Sequence, residues 1–544
     1  MKNYLENLFI QLSNKLEYIK EEILILNVPN NRLQGDYSSN IAMRLSKKLK
    51  RNPRDIATEI TNVLLVLADK DVLADVKIEG PGFINFFFTP GFVASVVKKV
   101  AEAGINFGRS EKYNGKKAMV EFVSANPTGP LTIGHGRNAV VGDTFANMLE
   151  AIGYDVTREY YFNNAGRQMR VLGNSVKFRY LELLGQTIEF PEDHYQGEYI
   201  KDIAQQVLND NGDKLIDESP EGIFKDYAER IIFDDIKNTL GNIGIKMKSF
   251  YNENDLYTEK RIEKVLEMFK AKNLSYQSEG ATWLKLSELG NEQDKVIIKS
   301  TGEPTYRLPD IAYHITKYER GYDLIVDLFG SDHNATYPDV LAALKSLGYN
   351  TEIIKVLIHQ FVTVVANGQI VKMSTRKANF ITLDELINEA GRDAVRYFFV
   401  MRDLKTHLNF DIELAKKQTD ENPVFYLQYA HARICSILRM TAEKELKASF
   451  ENLHLLKENE EQDILKKMHH FGDEVEFAAI NFEPNKISNY LEELAALFHR
   501  FYAAHRIIGS EKNLAQARIA LIVAVQQVIK NGLNILSVSA PEKM

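Results

Sequence analysis

The stretch VEFVSANPTGPLTIGHGRNAVVGDTFANMLEAIGYDV, Val120 to Val156, decides the fold. Its start, within KAMVEFV, reads as a buried strand, since an unbroken apolar run suits a strand covered on both faces. GRNAVVGDTFANMLEAIG then places Val141, Phe145, Met148 and Ile152 on one helical face, and YDVTREYYF returns to a strand pattern. Strand, helix and strand in that order form a βαβ unit, hence a parallel sheet with crossover helices. Between the first strand and the helix lie Gly134, His135 and Gly136. Ligands of open parallel sheets sit outside the carboxyl ends of the strands, and a helix N-terminus offers unpaired N–H groups to an anion. The two glycines would let a phosphate or nucleotide approach the backbone, with His135 as a donor to developing charge. On these residues alone a tight packing turn with an incidental histidine is an equal alternative.

Working outward, DLIVDLFGSDHNATYPDVLAALKSLG and EIIKVLIHQFVTV form a second set of the same kind. The residues between the sets, about 166 to 305, read as charged helix with scattered turns, inserted into the sheet domain. Before the sheet, helices punctuated at Asn52-Pro53 and two strands around Gly80-Pro81-Gly82 make a small α+β unit that closes with a helix ending at Gly104. Past about residue 395 no strand is expected, and the remainder reads as a helical bundle. The expected fold is multidomain α/β. Residues 1–110 form a small N-terminal α+β domain, 111–395 a Rossmann-like parallel-sheet domain with its insertion, and 396–544 an all-α bundle.

A chain of 544 residues exceeds what one hydrophobic core supports, so several domains agree with its size. A net charge of −7 argues against coating nucleic acid by bulk charge. Local patches remain open: RLSKKLKRNPR, Arg44 to Arg54, holds six basic side chains and no acidic one, and is either a solvated helix face or a phosphate-contact patch. The single cysteine, Cys435, excludes an internal disulfide framework and a cysteine-cluster zinc site, and points to a reducing compartment. Cytoplasm is the expected location. The N-terminus lacks the pattern of a signal peptide, and no apolar run is long enough to cross a bilayer, so no membrane role is expected.

A second stretch, NGQIVKMSTRKANFITLDELINEAG, Asn367 to Gly391, has an Asn-Gly turn, a short apolar run, a loop with Lys372, Arg376 and Lys377 beside Ser374 and Thr375, and a helix that Thr382 would cap. Three cations in six residues suit a loop that grips triphosphate oxygens, or a solvated one.

PLTIGH together with VKMSTRK about 240 residues further on resembles the His-Ile-Gly-His and Lys-Met-Ser-Lys-Ser signatures of class I aminoacyl-tRNA synthetases. The longer stretch from Val120 through Gly166, with GPGFINF (Gly80 to Phe86), NPVFYLQYAHARI (Asn422 to Ile434) and the closing SAPEKM, resembles the bacterial-type arginyl-tRNA synthetases in particular. The resemblance spans nearly the whole chain. It implies ATP-driven activation of L-arginine to arginyl-adenylate, then transfer to the terminal adenosine of tRNA(Arg). ATP with magnesium, as Mg-ATP, is the implied cofactor, with no zinc and no protein-held metal. Activation is expected to require bound tRNA, and a monomer that binds no DNA is expected.

Carried over by motif, the first signature is Ala125, Asn126, Pro127, Thr128, Gly129, Pro130, Leu131, Thr132, Ile133, Gly134 and His135. His135, Lys372, Thr132, Arg376 and Lys377 would be catalytic. ATP would meet Gly134, His135, Gly136, His333, Lys372, Met373 and Ser374. Two positions depart from the pattern: Thr132 replaces the first histidine and Thr375 the second lysine, for which Arg376 or Lys377 would substitute. For arginine, PTYRLPDIAYH supplies Tyr306 and Asp310, four apart, with Asp310 as the guanidinium carboxylate. Glu121, Ser124 and Asn126 would hold the α-amino and carboxylate groups, with Asp332 nearby. From its own context Asp310 fits an ordinary surface or helix-start carboxylate better, and only the family resemblance inverts that. For tRNA, the family pattern points to Phe83 and Asn85 on one strand face, and to Tyr426, Tyr429, Arg433 and Met544 in the bundle. Lysine activation, a non-tRNA acceptor, or a tRNA-binding relative without chemistry are the rival readings.

Overall fold

The computed structural model describes residues 1–29, 31–331, 336–371 and 381–544. The N-terminal unit is a three-stranded antiparallel sheet, β1 (Tyr37–Ser39), β2 (Leu73–Glu79) and β3 (Phe83–Phe88), in the order β1-β3-β2. Its core face, including Ile84, Phe86 and Phe88, is covered by helices Lys2–Ser13, Ile41–Leu49 and Pro53–Leu67. Asn52 caps the last of these and Pro53 opens it, since proline lacks the N–H that the first turn leaves unused. The short β1 was not expected from the sequence, because three residues, YSS, carry no alternation to detect.

The central sheet contains β4 (Lys117–Glu121), β5 (Asp155–Phe162), β6 (Ser249–Asn252), β10 (Leu324–Gly330) and β11 (Ile354–His359). The order is β11-β10-β4-β5-β6, all parallel. Starting from β4, the chain builds outward to β6 and then returns to the other side of β4, so the topological switch point lies between β4 and β10. Helix Ile133–Ala151, the crossover between β4 and β5, is buried on nearly every side, more than a one-faced helix would be. It also starts earlier than expected: Gly134, His135 and Gly136 stand in its first turn and not in a turn before it.

Two further expectations are corrected. The span 166–305 is not helix and turns alone, since β6 completes the central sheet and β7 (Ser275–Ser278), β8 (Ala281–Leu284) and β9 (Lys295–Ile298) form an antiparallel sheet of their own. Strands also continue past residue 395. β12 (Val362–Ala366) pairs with β13 (Gln369–Ile370) and, in parallel, with β14 (Leu408–Asp411). Both misses are strands of four residues or so, too short for a period-2 signal. Long helices follow, chiefly Pro423–Glu443, Asn485–Ala504 and Lys512–Ile535, packed on one another and on the N-terminal unit. Among the described residues no helix is long and apolar enough to cross a membrane.

Candidate active site

The site is built at the carboxyl end of β4. Glu121 ends the strand, and the chain then passes through Val123 and Ser124 with φ of +68° and +40°. A β-branched residue in the left-handed region is strained and needs support. Asn138, one helical turn beyond His135, supplies it: its Oδ1 accepts the Val123 N–H at 2.6 Å, while its amide nitrogen donates to the Leu328 carbonyl at 3.0 Å. The Ser124 hydroxyl donates to Glu121 Oε1 at 3.0 Å and accepts the Tyr161 N–H at 3.1 Å. The loop therefore hangs from β4, β5, β10 and the crossover helix together.

Two hydrogen bonds fix the start of that helix. The Thr132 N–H donates to His135 Nδ1 at 3.2 Å, so the proton of a neutral imidazole sits on Nε2. The Leu383 N–H donates to the Leu131 carbonyl at 2.8 Å, and Thr132 forms an antiparallel bridge with Thr382. Thr382 also caps helix Leu383–Ala390 in a capping box with Glu385. The two sequence stretches singled out above are thus joined, backbone to backbone, at the start of the second one's helix. The two glycines differ. A Cβ on Gly136 would stand 2.6 Å from Leu383 Cδ1, whereas one on Gly134 would meet nothing closer than Thr132 Oγ1 at 3.8 Å. Gly136 serves packing, and Gly134 leaves backbone open to approach.

On the other side of β4, helix Arg307–Glu319 lies across the sheet. Parallel register sets Asp327 of β10 and Glu159 of β5 on either side of Glu121. Three carboxylates therefore stand in a row, with neighbouring strands about 4.8 Å apart, and cations of the helix segment cover them. Lys317 Nζ donates to Glu121 Oε2 and Asp327 Oδ1, both at 2.6 Å, and its side chain is wholly buried. Arg320 and the Tyr313 hydroxyl bind Glu159. His314 meets Asp327 Oδ2 at 2.9 Å and the Asp310 carbonyl at 2.8 Å; since both partners are acceptors, both contacts are hydrogen bonds only in the imidazolium form. Burial pushes the Asp327 carboxyl up, but Lys317 and His314 outweigh it and hold the group below the usual range. Burial raises Glu121, with Lys317 only partly opposing.

Asp310, half-buried, lines a cleft with His314, Phe329, Tyr337 and Val356. Close by is a carboxylate that sequence reasoning missed. Glu253 opens helix Glu253–Thr258 directly after β6, is buried, and is pushed up to about 7 by its burial and by the charge of Asp310. Tyr161 shares both acids: it hydrogen-bonds Glu253 and senses Asp310. Tyr306, 73% exposed, stands just before helix Arg307–Glu319, and Asn126 is exposed on the loop. Asn138, Lys317 and His314 were likewise missed; only Asn138 left a signal, its spacing of three from His135. Lys372, Met373, Ser374, Thr375, Arg376 and Lys377, and Asp332 and His333, lie outside the described residues.

Away from the sheet, Phe83 is exposed but Asn85, on the same strand face, is only 2% exposed, with Ser38 of β1 and Lys77 of β2 as its register partners. In the basic stretch, Arg44 and Lys48 pair with Glu22, and Arg51 with Glu59. Tyr429 and Arg433 are exposed on one side of helix Pro423–Glu443, where Tyr429 stacks on His499 and the Arg433 guanidinium lies over Tyr502. Tyr426 is half-buried against His499, and Met544 is exposed. His431 is buried and bonds the Pro541 carbonyl at 2.9 Å.

Three family profiles divide the chain: an arginyl tRNA synthetase N terminal domain over residues 2–88, the catalytic domain of tRNA synthetases class I (R) over 99–419, and a DALR anticodon binding domain over 427–544. The catalytic profile alone spans more than half of the chain. The chain belongs to the class I arginyl-tRNA synthetase family. An arginine–tRNA ligase of Pelodictyon phaeoclathratiforme is 51% identical over 532 residues, 96% of each chain. One of Desulfotalea psychrophila is 49% identical, covering 95% of this chain and 94% of that one. The solved Thermus thermophilus arginyl-tRNA synthetase superposes with a TM-score of 0.77 over 100% of both chains at 20% identity, a match of fold. The family's catalytic profile ends at 419, beyond β14.

Proposed function

We propose that the chain is an arginine–tRNA ligase of the reaction its family carries out, with the sites assigned below. It activates L-arginine with ATP and transfers the arginyl group to the 3′-terminal adenosine of tRNA(Arg). The observation that supports this reading is the joint between Leu131 and Leu383, which ties the start of the helix bearing Gly134 and His135 to the segment that follows the second signature.

In the first step a carboxylate oxygen of arginine attacks the α-phosphorus and the bond to the β-phosphate's bridging oxygen breaks, releasing pyrophosphate. In the second, a ribose hydroxyl of the terminal adenosine attacks the arginyl carbonyl carbon, AMP leaves, and the hydroxyl proton is lost to water. Neither step needs a covalent enzyme intermediate, so positioning and charge stabilisation do the work. ATP approaches over Gly134, and the Nε2–H of His135 donates to it. Met373, Ser374 and His333 join that contact, and Lys372 with Arg376 or Lys377 stabilises the leaving pyrophosphate. Thr132 acts through its backbone N–H, which holds the imidazole. Magnesium would be carried by the ATP phosphates.

The arginine guanidinium sits between Asp310 and Glu253, with Tyr306 and Asp332 at its rim, while Glu121, Ser124 and Asn126 hold the α-amino and carboxylate groups. A guanidinium is planar and permanently charged, so two carboxylates in a desolvated pocket favour it over lysine. The tRNA meets Phe83 and Asn85 on the N-terminal unit and Tyr426, Tyr429, Arg433 and Met544 on the bundle. The enzyme acts as a cytoplasmic monomer, apart from membranes and DNA, and activates arginine only with tRNA bound. The test is charging of bulk tRNA with labelled arginine, lysine and glutamine by the wild type and by Asp310→Asn. Arginine-only charging, lost or severely reduced in the variant, is expected. Folded, ATP-binding protein that charges no amino acid would overturn the reading.

A further inference from the structure

Glu121 and Asp327 are register neighbours on adjacent parallel strands, with their side chains on the same face of the sheet. Each is almost wholly buried, and Lys317 is the amine that bridges them. Two carboxylates this close in an apolar setting cannot both ionise without a compensating cation. The facing charged and titratable groups are Lys317, His314 and Tyr313 from the overlying helix, Asp327 from β10, and Glu159 and Tyr161 from β5. Arg320 is taken up by Glu159, and the His314 ring by Asp327 and the Asp310 carbonyl. Among these groups only Lys317 reaches Glu121 as a cation. We propose that Lys317 is a positioning residue of the arginine site, which keeps Glu121 ionised to receive the substrate's α-ammonium group. The proposal rests on the assignment of Glu121 to that group.

The same side chain also joins the two ends of the amino-acid site. Glu121 reaches Ser124 through its other oxygen, and Asp327 reaches the backbone of Asp310 through His314. The α-ammonium end and the guanidinium end therefore share one buried chain of charges, which opens without Lys317. Glu121 and Asp327 would then share a proton as other close carboxylate pairs do, and His314, which contacts Asp327 and not Glu121, leaves the proton to Glu121. A protonated Glu121 is a poor partner for an ammonium group. The defect should therefore fade as pH rises and the proton leaves.

The experiment compares Lys317→Met, the double variant Lys317→Met/Asp327→Asn, Lys317→Arg and Glu121→Gln with the wild type. The arginine KM and kcat of aminoacylation are measured from pH 6.5 to 8.5 at saturating ATP and tRNA. Lys317→Met is expected to raise the arginine KM on the order of tenfold at neutral pH, with a smaller effect on kcat, and the KM falls towards higher pH. The double variant, which removes the competing carboxylate and restores the charge balance, is expected to return the KM towards wild type and flatten its pH dependence. Lys317→Arg keeps the charge and should show a flat profile. This third comparison stands even if Lys317→Met fails to fold, because a pH-dependent arginine KM in Lys317→Arg would overturn the proposal. So would a KM in Lys317→Met equal to wild type, or one raised equally at every pH and not relieved in the double variant. An unchanged arginine KM in Glu121→Gln would instead overturn the assignment of Glu121.

Discussion

Alanine at Gly134 and alanine at Gly136, two residues apart in the same helical turn, should act in opposite directions on stability. At Gly136 the new methyl group would stand 2.6 Å from Leu383 Cδ1 and 3.2 Å from Phe399 Cε2, and Leu383 is wholly buried. Overfilling a packed interior costs about 1–3 kcal/mol. The gain from replacing a helical glycine is about 0.5–1 kcal/mol, so Gly136→Ala should lose about 1 kcal/mol, and at most about 2.5 kcal/mol. At Gly134 the nearest atom, Thr132 Oγ1, would be 3.8 Å away, an ordinary contact. Gly134→Ala should therefore be neutral or stabilising, by up to about 0.5–1 kcal/mol. Its cost falls on activity, because in the proposed site the methyl group would occupy the face that ATP approaches, and displacing a reactant by about 1 Å costs on the order of a hundredfold. Urea unfolding followed by circular dichroism, with tRNA-dependent ATP–pyrophosphate exchange on the same preparations, measures both. A Gly134→Ala enzyme as active as wild type would refute the approach of ATP over that backbone, and a Gly136→Ala protein more stable than wild type would refute the packing argument.

Asn138→Ala should cost about 1–3 kcal/mol, since it strands the buried N–H of Val123 and the carbonyl of Leu328. The loss should be larger in pyrophosphate exchange than in ATP binding, as the left-handed Val123–Ser124 turn relaxes, and equal losses in the two assays would refute that role. Glu253 titrates at about 7 in the folded chain against 4.5 for an ordinary glutamate. Its carboxyl is therefore protonated more readily folded than unfolded, and the resulting stability is full below about pH 4.5 and is lost as pH rises through about 7. Glu253→Gln should thus gain stability relative to wild type between pH 5 and 7.5 in urea titrations, and a difference that does not change with pH would count against the burial argument.

What could be read from the sequence depended on whether the signal was local. The βαβ unit was legible because MVEFV and the Val141, Phe145, Met148 series announce their periods within a few residues. β6, SFYN, and β14, LNFD, are short and half polar, and they are strands because their partners β5 and β12 are already there. The site divides in the same way. Glu121, Ser124, His135 and Asp310 were named from their motifs, and Glu121 and Ser124 do meet. Lys317 sits in AYHITKYER, where a lysine looks like any solvated helix cation; its burial is decided by Glu121, 196 residues earlier, and Asp327, 10 residues later. Glu253 in NENDL looks like a helix-start acid, and only the fold sets Asp310 near it.

The strand order carries a consequence for how the protein is made. β4, β5 and β6 pair in the order in which they are synthesised, whereas β10 closes against β4 only after some 200 further residues have emerged. Loop closure of that length is entropically modest, since each doubling costs only about 0.6 kcal/mol, but it is late. Until then one edge of β4 is unpaired, with Glu121 at its end, and an open strand edge is a template for wrong partners. On the ribosome the half-sheet has to wait for β10, and factors that shield nascent chains would be needed most during that interval.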